Sequence, residues 1–195
     1  MNKRDFLNAA GASATLLASG VADAAPRKSN AAGPGLLTVT GAISSPNRGA
    51  LNHSLDQMMH KQHLEFDKAR VFDFAALTAL PAVSIHPTLE YDGKQHVLRG
   101  PLLLDVMQAA GADRKAANFL LRAIDGYAVL APRADIERYR FIIATHMDGQ
   151  PLALGGLGPL WAVYEADRYA DMRDKPLTAR FGLCPWGLYH IAVSV

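Results

Sequence analysis

Met58-Met59-His60-Lys61-Gln62-His63, with His53 a short way upstream, crowds borderline and soft metal ligands into one polar stretch. On a helix His60 and His63 share a face, and methionine sulfur suits cuprous copper. His60 and His63 are therefore candidate ligands for copper or zinc. The competing reading is a solvated helix or insertion, because two histidines without a fixed third ligand are common. A second group relies on backbone. Gly155-Gly156-Leu157-Gly158 can turn successive amides, those of Gly156 and Gly158 among them, toward an anion such as a phosphate tail. Arg99 and Arg133 are the natural supporting charges, since a guanidinium grips phosphate with two prongs. The alternative is a plain turn leading into the Trp161 segment. The third group is Asp125, Tyr127, His86 and His146, polar residues near strand ends, where binding sites form. His86 precedes Pro87 and so has an extended backbone. Each histidine equally reads as a hydrogen-bonded structural residue. No dinucleotide-binding glycine pattern, phosphate-binding loop or nucleophile elbow occurs.

The elements that must hold these groups are mostly short strands. Residues 36–43 alternate β-branched positions and read as the first strand. Residues 50–68 form a polar segment compatible with helix. Residues 72–81 read as a short helix that Asp73 caps and Pro81 ends. Residues 82–90 and 95–98 read as strands around an Asp92-Gly93 hairpin turn. Residues 101–110 give the strongest helix pattern. Pro101 takes the first helical position, Leu102, Leu103, Val106, Met107 and Ala110 share one face, and Gly111 closes the helix in the left-handed conformation. Strands follow on either side of Asp125-Gly126, then over 139–145 before Asp148-Gly149, over 160–164, and over 186–195 after a polar loop to Arg180. Strands outnumber helices and come mostly in hairpins, with one clear helix crossing between them, and the class expected is α+β, a mixed β-sheet with hairpins and few helices.

The ends and the composition narrow the setting. Lys3-Arg4 precede an uncharged small-residue and apolar run, and Ala22-Asp23-Ala24 fits a signal-peptidase site. Residues 1–24 are thus expected to be an export signal. The run is too short to span a bilayer, and Lys-Arg-x-Phe-Leu resembles the twin-arginine pattern with Lys3 in place of the first arginine. Export by either the general or the twin-arginine route would place the chain in the periplasm or outside the cell. Residues 25–35 have linker composition, and residues 36–195 are expected to form one domain. The formal net charge is +2, with no Lys/Arg block that would mark nucleic acid or a membrane surface as partner. Cys184 is the only cysteine, so no internal disulfide can form, and it reads as a small core residue.

Taken in order, several pieces resemble one family. They are the early strand ending in glycine, Phe72-Asp73 leading to Leu80-Pro81, Gly100-Pro101-Leu102-Leu103 with Asp105-Val106, Asp125-Gly126-Tyr127, Asp148-Gly149-Gln150-Pro151, and Gly158-Pro159-Leu160-Trp161 with Val163-Tyr164. This set resembles the oxidoreductase molybdopterin-binding domain, the sulfite-oxidase fold, in a small stand-alone exported form, over about residues 36–195. The resemblance implies molybdopterin as the cofactor, with molybdenum held by the pterin and by one protein cysteine on the strand before the Gly-x-x-Leu-x-Asp helix. Here the matching segment is residues 84–93, Ser-Ile-His-Pro-Thr-Leu-Glu-Tyr-Asp-Gly, which has no sulfur. A thiolate is not replaced by phenol or carboxylate without changing the metal's electronics. The leading expectation is therefore a periplasmic accessory or binding module that keeps the scaffold without the metal ligand. It would take a small anionic or pterin-like ligand near His86, Tyr91, Arg99, Asp125, Tyr127, Arg133, Gly156 and Gly158, or a protein partner. The alternatives are a molybdenum oxidoreductase with His86, another histidine or Tyr91 in the thiolate's place, and a copper- or zinc-binding protein. Trp161 and Trp186 read as core aromatics, with stacking on a pterin as the other possibility.

Overall fold

The computed structural model describes residues 33–195; the expected signal and most of the expected linker lie outside the described residues. The elements run β1 (Leu37–Gly41), α1 (Gln57–Lys61), β2 (Arg70–Phe72), α2 (Phe74–Thr78), β3 (Ala82–Ile85), β4 (Leu98–Pro101), α3 (Leu103–Ala109) and β5 (Asn118–Ala123). They continue with β6 (Ala128–Pro132), α4 (Arg133–Tyr139), β7 (Ile142–Ala144), β8 (His146–Met147), β9 (Gln150–Pro151), β10 (Trp161–Val163), α5 (Ala170–Arg173) and β11 (Leu188–Ser194). No helix among the described residues is long and apolar enough to cross a membrane.

One sheet has the order β2-β1-β11-β5-β6. Its first and last strands in sequence, β1 and β11, pair in parallel, and its other pairs are antiparallel, so the sheet is mixed. A second sheet has the order β3-β4-β8-β9, and β7 pairs with β10 in a third. Alternation sets the faces of the large sheet. Leu37, Val39, Phe119, Leu121, Ile191 and Val193 pack into the main core. Thr38, Thr40 and His190 are buried on the opposite face, where His190 stands in register with Thr38 and Arg122. A bulge at Tyr189 makes this possible. The register shifts between Leu188 and His190, so Leu188 still joins the core while His190 faces the other way.

Two glycines fix how layers meet. A side chain at Gly100 would place its Cβ 1.9 Å from the Ile143 carbonyl oxygen, so only glycine lets β4 lie against β7. Gly111, with φ +70°, closes α3 as expected, and its own space is filled by Ser44 and Ser45. The capping of α2 also matches: the Asp73 carboxylate accepts from the Ala76 amide at 2.7 Å.

Other expectations are corrected. Pro101 is the last residue of β4, not the first of α3, because the chain stays extended until Leu102 bridges Ile142 and Leu103 N donates to Phe141 O at 2.9 Å. Residues 133–139, with no sequence-based helix expectation, form α4, and only Ile142–Ala144 of the expected 139–145 strand is strand. Arg140 in the left-handed conformation (φ 52°) makes the break between them. The polar stretch around residue 60 contains a helix of a single turn, Gln57–Lys61.

Candidate functional site

A cavity of about 340 Å3 opens where the β5–β6 turn, the segment after β3 and the segment before β11 meet. It collects three of the residues singled out from sequence: Tyr91, Asp125 and Tyr127. The turn that presents two of them is locally determined. Gly126 takes φ +92°, and the Asp125 carboxylate accepts from the Tyr127 amide at 2.9 Å. The Tyr127 hydroxyl then donates to the Gly182 carbonyl at 2.7 Å, tying the turn to the opposite wall. That wall carries Phe181, Cys184 and Trp186. It is pinned from behind by the buried Trp161 indole, which donates to the Cys184 carbonyl at 2.9 Å.

The charges of the cavity are one-sided. Glu90 and Asp125 line it, and among the described residues no lysine, arginine or histidine does. Although the Tyr91 ring is largely exposed, the partial desolvation of its hydroxyl, and after it the neighbouring Glu90 carboxylate, push the phenol up to about 12. The phenol therefore stays a neutral donor at physiological pH. Burial also raises the Cys184 thiol well above its usual value, so the sulfur in the wall is a neutral thiol. Glu90, Phe181 and Cys184 had no place in the expected site. The one clue to them was the Cys184-Pro185-Trp186 run just ahead of the last strand.

The remaining expected site residues lie elsewhere. His86 follows β3 and is exposed; its carbonyl accepts from the Gln95 side chain at 2.9 Å. Arg99 is exposed on β4, in register with Ser84 and His146. Arg133 lies at a separate, larger cleft of about 840 Å3, which also carries Lys68, Arg114, Asp105 and Asp113. Its guanidinium donates to the Ala116 carbonyl at 2.8 Å and to Glu137 at 3.0 Å, which makes it a strut for α4. The glycine loop does not form an anion nest. The amides of Gly156 and Gly158 both donate to the Ala153 carbonyl, at 3.1 and 3.2 Å, so they turn inward onto their own loop. The arginines and the glycine loop thus do not converge on one anion.

The histidine cluster is also rearranged. His63 lies beyond the single turn of α1 in the left-handed conformation (φ 57°), so it does not share a helix face with His60. His60 instead meets His53, with Nδ1 to Nδ1 at 3.0 Å, and Glu65 joins them.

The fold can now be placed. It is a mixed α+β architecture with few helices and several sheets, of the sulfite-oxidase type. It is similar to the crystal structure of the sulfane dehydrogenase SoxCD from Paracoccus pantotrophus, with a TM-score of 0.53 at 10% sequence identity. The match covers 81% of this chain and 37% of that one, so this chain spans well under half the length of its structural neighbour. No family model and no curated protein matches the sequence.

Molybdopterin, which such a fold suggests, can be tested against the donors present. The segment matching the thiolate-bearing turn supplies Glu90 and Tyr91, and the wall opposite supplies the one sulfur. That sulfur is buried and held protonated, and among the described residues lining the cavity no cation stands by to favour the thiolate or to receive a phosphate group. The donor set of this cavity does not fit the cofactor.

Proposed function

We propose that this chain is a ligand-binding module built on the sulfite-oxidase scaffold, and that its ligand is a small organic cation held in the Tyr91–Asp125–Trp186 cavity. One observation carries the reading: among the described residues the cavity pairs aromatic walls with two carboxylates and no positive side chain. Aromatic ring faces are electron-rich, and an ammonium or guanidinium group gains from them as well as from Glu90 and Asp125. An anion would meet both as repulsion. The volume suits a small molecule. The basic start and small-residue run of residues 1–24 support a periplasmic or secreted setting for it.

The experiment is a fluorescence titration. Trp161 and Trp186 are the only tryptophans, and only Trp186 lines the cavity. Tetramethylammonium, guanidinium and oxidised pterin serve as probes, with native protein and an Asp125→Asn variant compared. A saturable change with a cation, weakened in the variant and absent in Trp186→Phe, supports the reading. A response to pterin alone, unaffected by Asp125→Asn, refutes it.

A second reading has one observation in its favour. Cys184, far from residues 84–93 in sequence, shares their cavity. A molybdenum oxidoreductase with an atypical ligand would use that sulfur. Its mark is metal carried by the purified chain.

A further inference from the structure

Residues 51–66 form a loop whose ends meet where the Leu51 amide donates to the Phe66 carbonyl at 3.0 Å. Leu51 and Leu64 anchor it; both are buried but stand apart from the main core. Inside the loop the backbone is held by its own polar side chains. Asn52 Oδ1 accepts from the amides of Ser54 and Leu55 at 3.0 and 3.1 Å. The Gln57 amide group donates to the His53 carbonyl at 2.8 Å, and Asp56 accepts from the Asn52 amide at 2.7 Å and from the Arg48 guanidinium. Further along, Gln62 accepts from the Tyr189 hydroxyl at 2.8 Å and donates to the Ile124 carbonyl at 3.2 Å, fastening the loop to the large sheet.

This scaffold brings three donors together from three different pieces of the loop: the turn before α1, α1 itself and the return segment. His53 and His60 meet edge to face, with ring planes at 86° and Nδ1 atoms 3.0 Å apart. The Glu65 carboxylate lies 3.5 Å from His53 Nε2, and one ligand atom from each residue falls within 4.8 Å of the other two. Two imidazole nitrogens bound to one tetrahedral zinc stand about 3.3 Å apart. The pair is therefore within a few tenths of an ångström of that spacing before any ion arrives. Without an ion, the two nitrogens must share a single proton, one donating and one accepting. An ion that displaces this proton would use both lone pairs. Glu65 is exposed and stands beside the other nitrogen of His53, Nε2, so its side chain must turn toward the Nδ1 pair to complete the set.

We propose that His53, His60 and Glu65 form a site for a divalent first-row transition ion, with zinc the best match to two imidazoles and one carboxylate. Imidazole suits zinc and copper(II), and a His2Glu set leaves a fourth position open to water or to a further ligand. Methionine sulfur and His63 take no part, so this is not the site that the Met58–His63 run suggests by itself.

The test is calorimetric titration of the untagged full chain with zinc chloride, followed by the variants His53→Ala, His60→Ala, Glu65→Gln, His63→Ala and His96→Ala. One equivalent is expected to bind. His53→Ala and His60→Ala should each lose at least about tenfold in affinity, since losing even an outer-shell partner of a metal ligand costs about 10–100-fold, and Glu65→Gln a smaller factor. His63→Ala and His96→Ala should bind as the native chain does. Near-ultraviolet circular dichroism of each variant without metal checks that the loop's host fold is intact, and a cadmium titration should show no ultraviolet thiolate-to-metal charge-transfer band, since Cys184 is not a ligand. Unchanged affinity in a folded His60→Ala variant, or a loss of binding in His63→Ala or His96→Ala instead, overturns the proposal.

Discussion

His190 sits at 3% exposure in the middle of the large sheet, and its burial, reinforced by the nearby Arg122 charge, lowers its pKa from 6.5 to about 4. Its Nε2 faces the Thr40 hydroxyl at 2.9 Å, and its Nδ1 has no partner among the described residues. A proton on this ring would therefore be a buried charge beside an arginine. The folded pKa lies below the unfolded one, so between them the unfolded chain takes up a proton that the folded chain refuses. The stability contributed is fully present above the unfolded value of 6.5 and is lost as pH falls toward about 4. From about pH 7 to about pH 4.5, linkage gives a loss of about 2.5 kcal/mol from this one group. The assay is urea unfolding of the native chain and of a His190→Gln variant across that range. Carboxylates titrate alike in both proteins, so the difference between the two pH curves isolates His190. The variant is expected to lose about 2.5 kcal/mol less than the native chain over the interval. Parallel curves would refute the buried neutral imidazole.

Three further outcomes follow from local geometry. Gly100→Ala forces a Cβ to 1.9 Å from the Ile143 carbonyl oxygen, and calorimetry should show a loss of at least about 2 kcal/mol. Cys184 is 5% exposed and its thiol is pushed up by burial, so iodoacetamide should leave it unmodified in the native state and alkylate it readily in denaturant. His96 bridges the turns at Asp148 and Asp92, at 2.6 and 3.0 Å, and hydrogen bonding first to Asp148 and then to Asp92 raises its pKa while both carboxylates are lowered. The histidine's contribution is present below 6.5 and fades as pH rises through its raised value. The carboxylates' contribution is present above 3.8 and fades as pH falls. Ring-proton resonances should show His96 titrating above 6.5 in the native chain and lower in Asp148→Asn.

What could be read from sequence was whatever is decided within a few residues. The Asp125-Gly126 and Asp148-Gly149 turns, the Asp73 cap and the apolar face of α3 depend on local backbone preference, and they stand as expected. The start of α3 did not, because Pro101 is claimed by the strand pairing of Ala82 with Pro101, a contact that no local pattern reports. α4 was hidden behind Pro132-Arg133, whose helix is stabilised by Ile136 and Tyr139 reaching a core built by distant strands. The site divided in the same way. Asp125 and Tyr127 share a turn, and Tyr91 joins them only because the segment after β3 folds back. Arg99 and Arg133 looked like partners for one anion, yet Arg99 sits on β4 and Arg133 begins α4 at a separate cleft, a separation that one-dimensional spacing does not report. His60 found His53 and Glu65 rather than His63 because the helix ends after one turn.

The central claim is that this scaffold works without molybdenum. The most direct measurement is the molybdenum content of chain purified natively from molybdate-supplied cells that make the pterin cofactor, taken together with the fluorescence of oxidised pterin in the released fraction. The account predicts neither metal nor pterin in proportion to protein. One molybdenum per chain, lost on replacing Cys184 with serine, would contradict it.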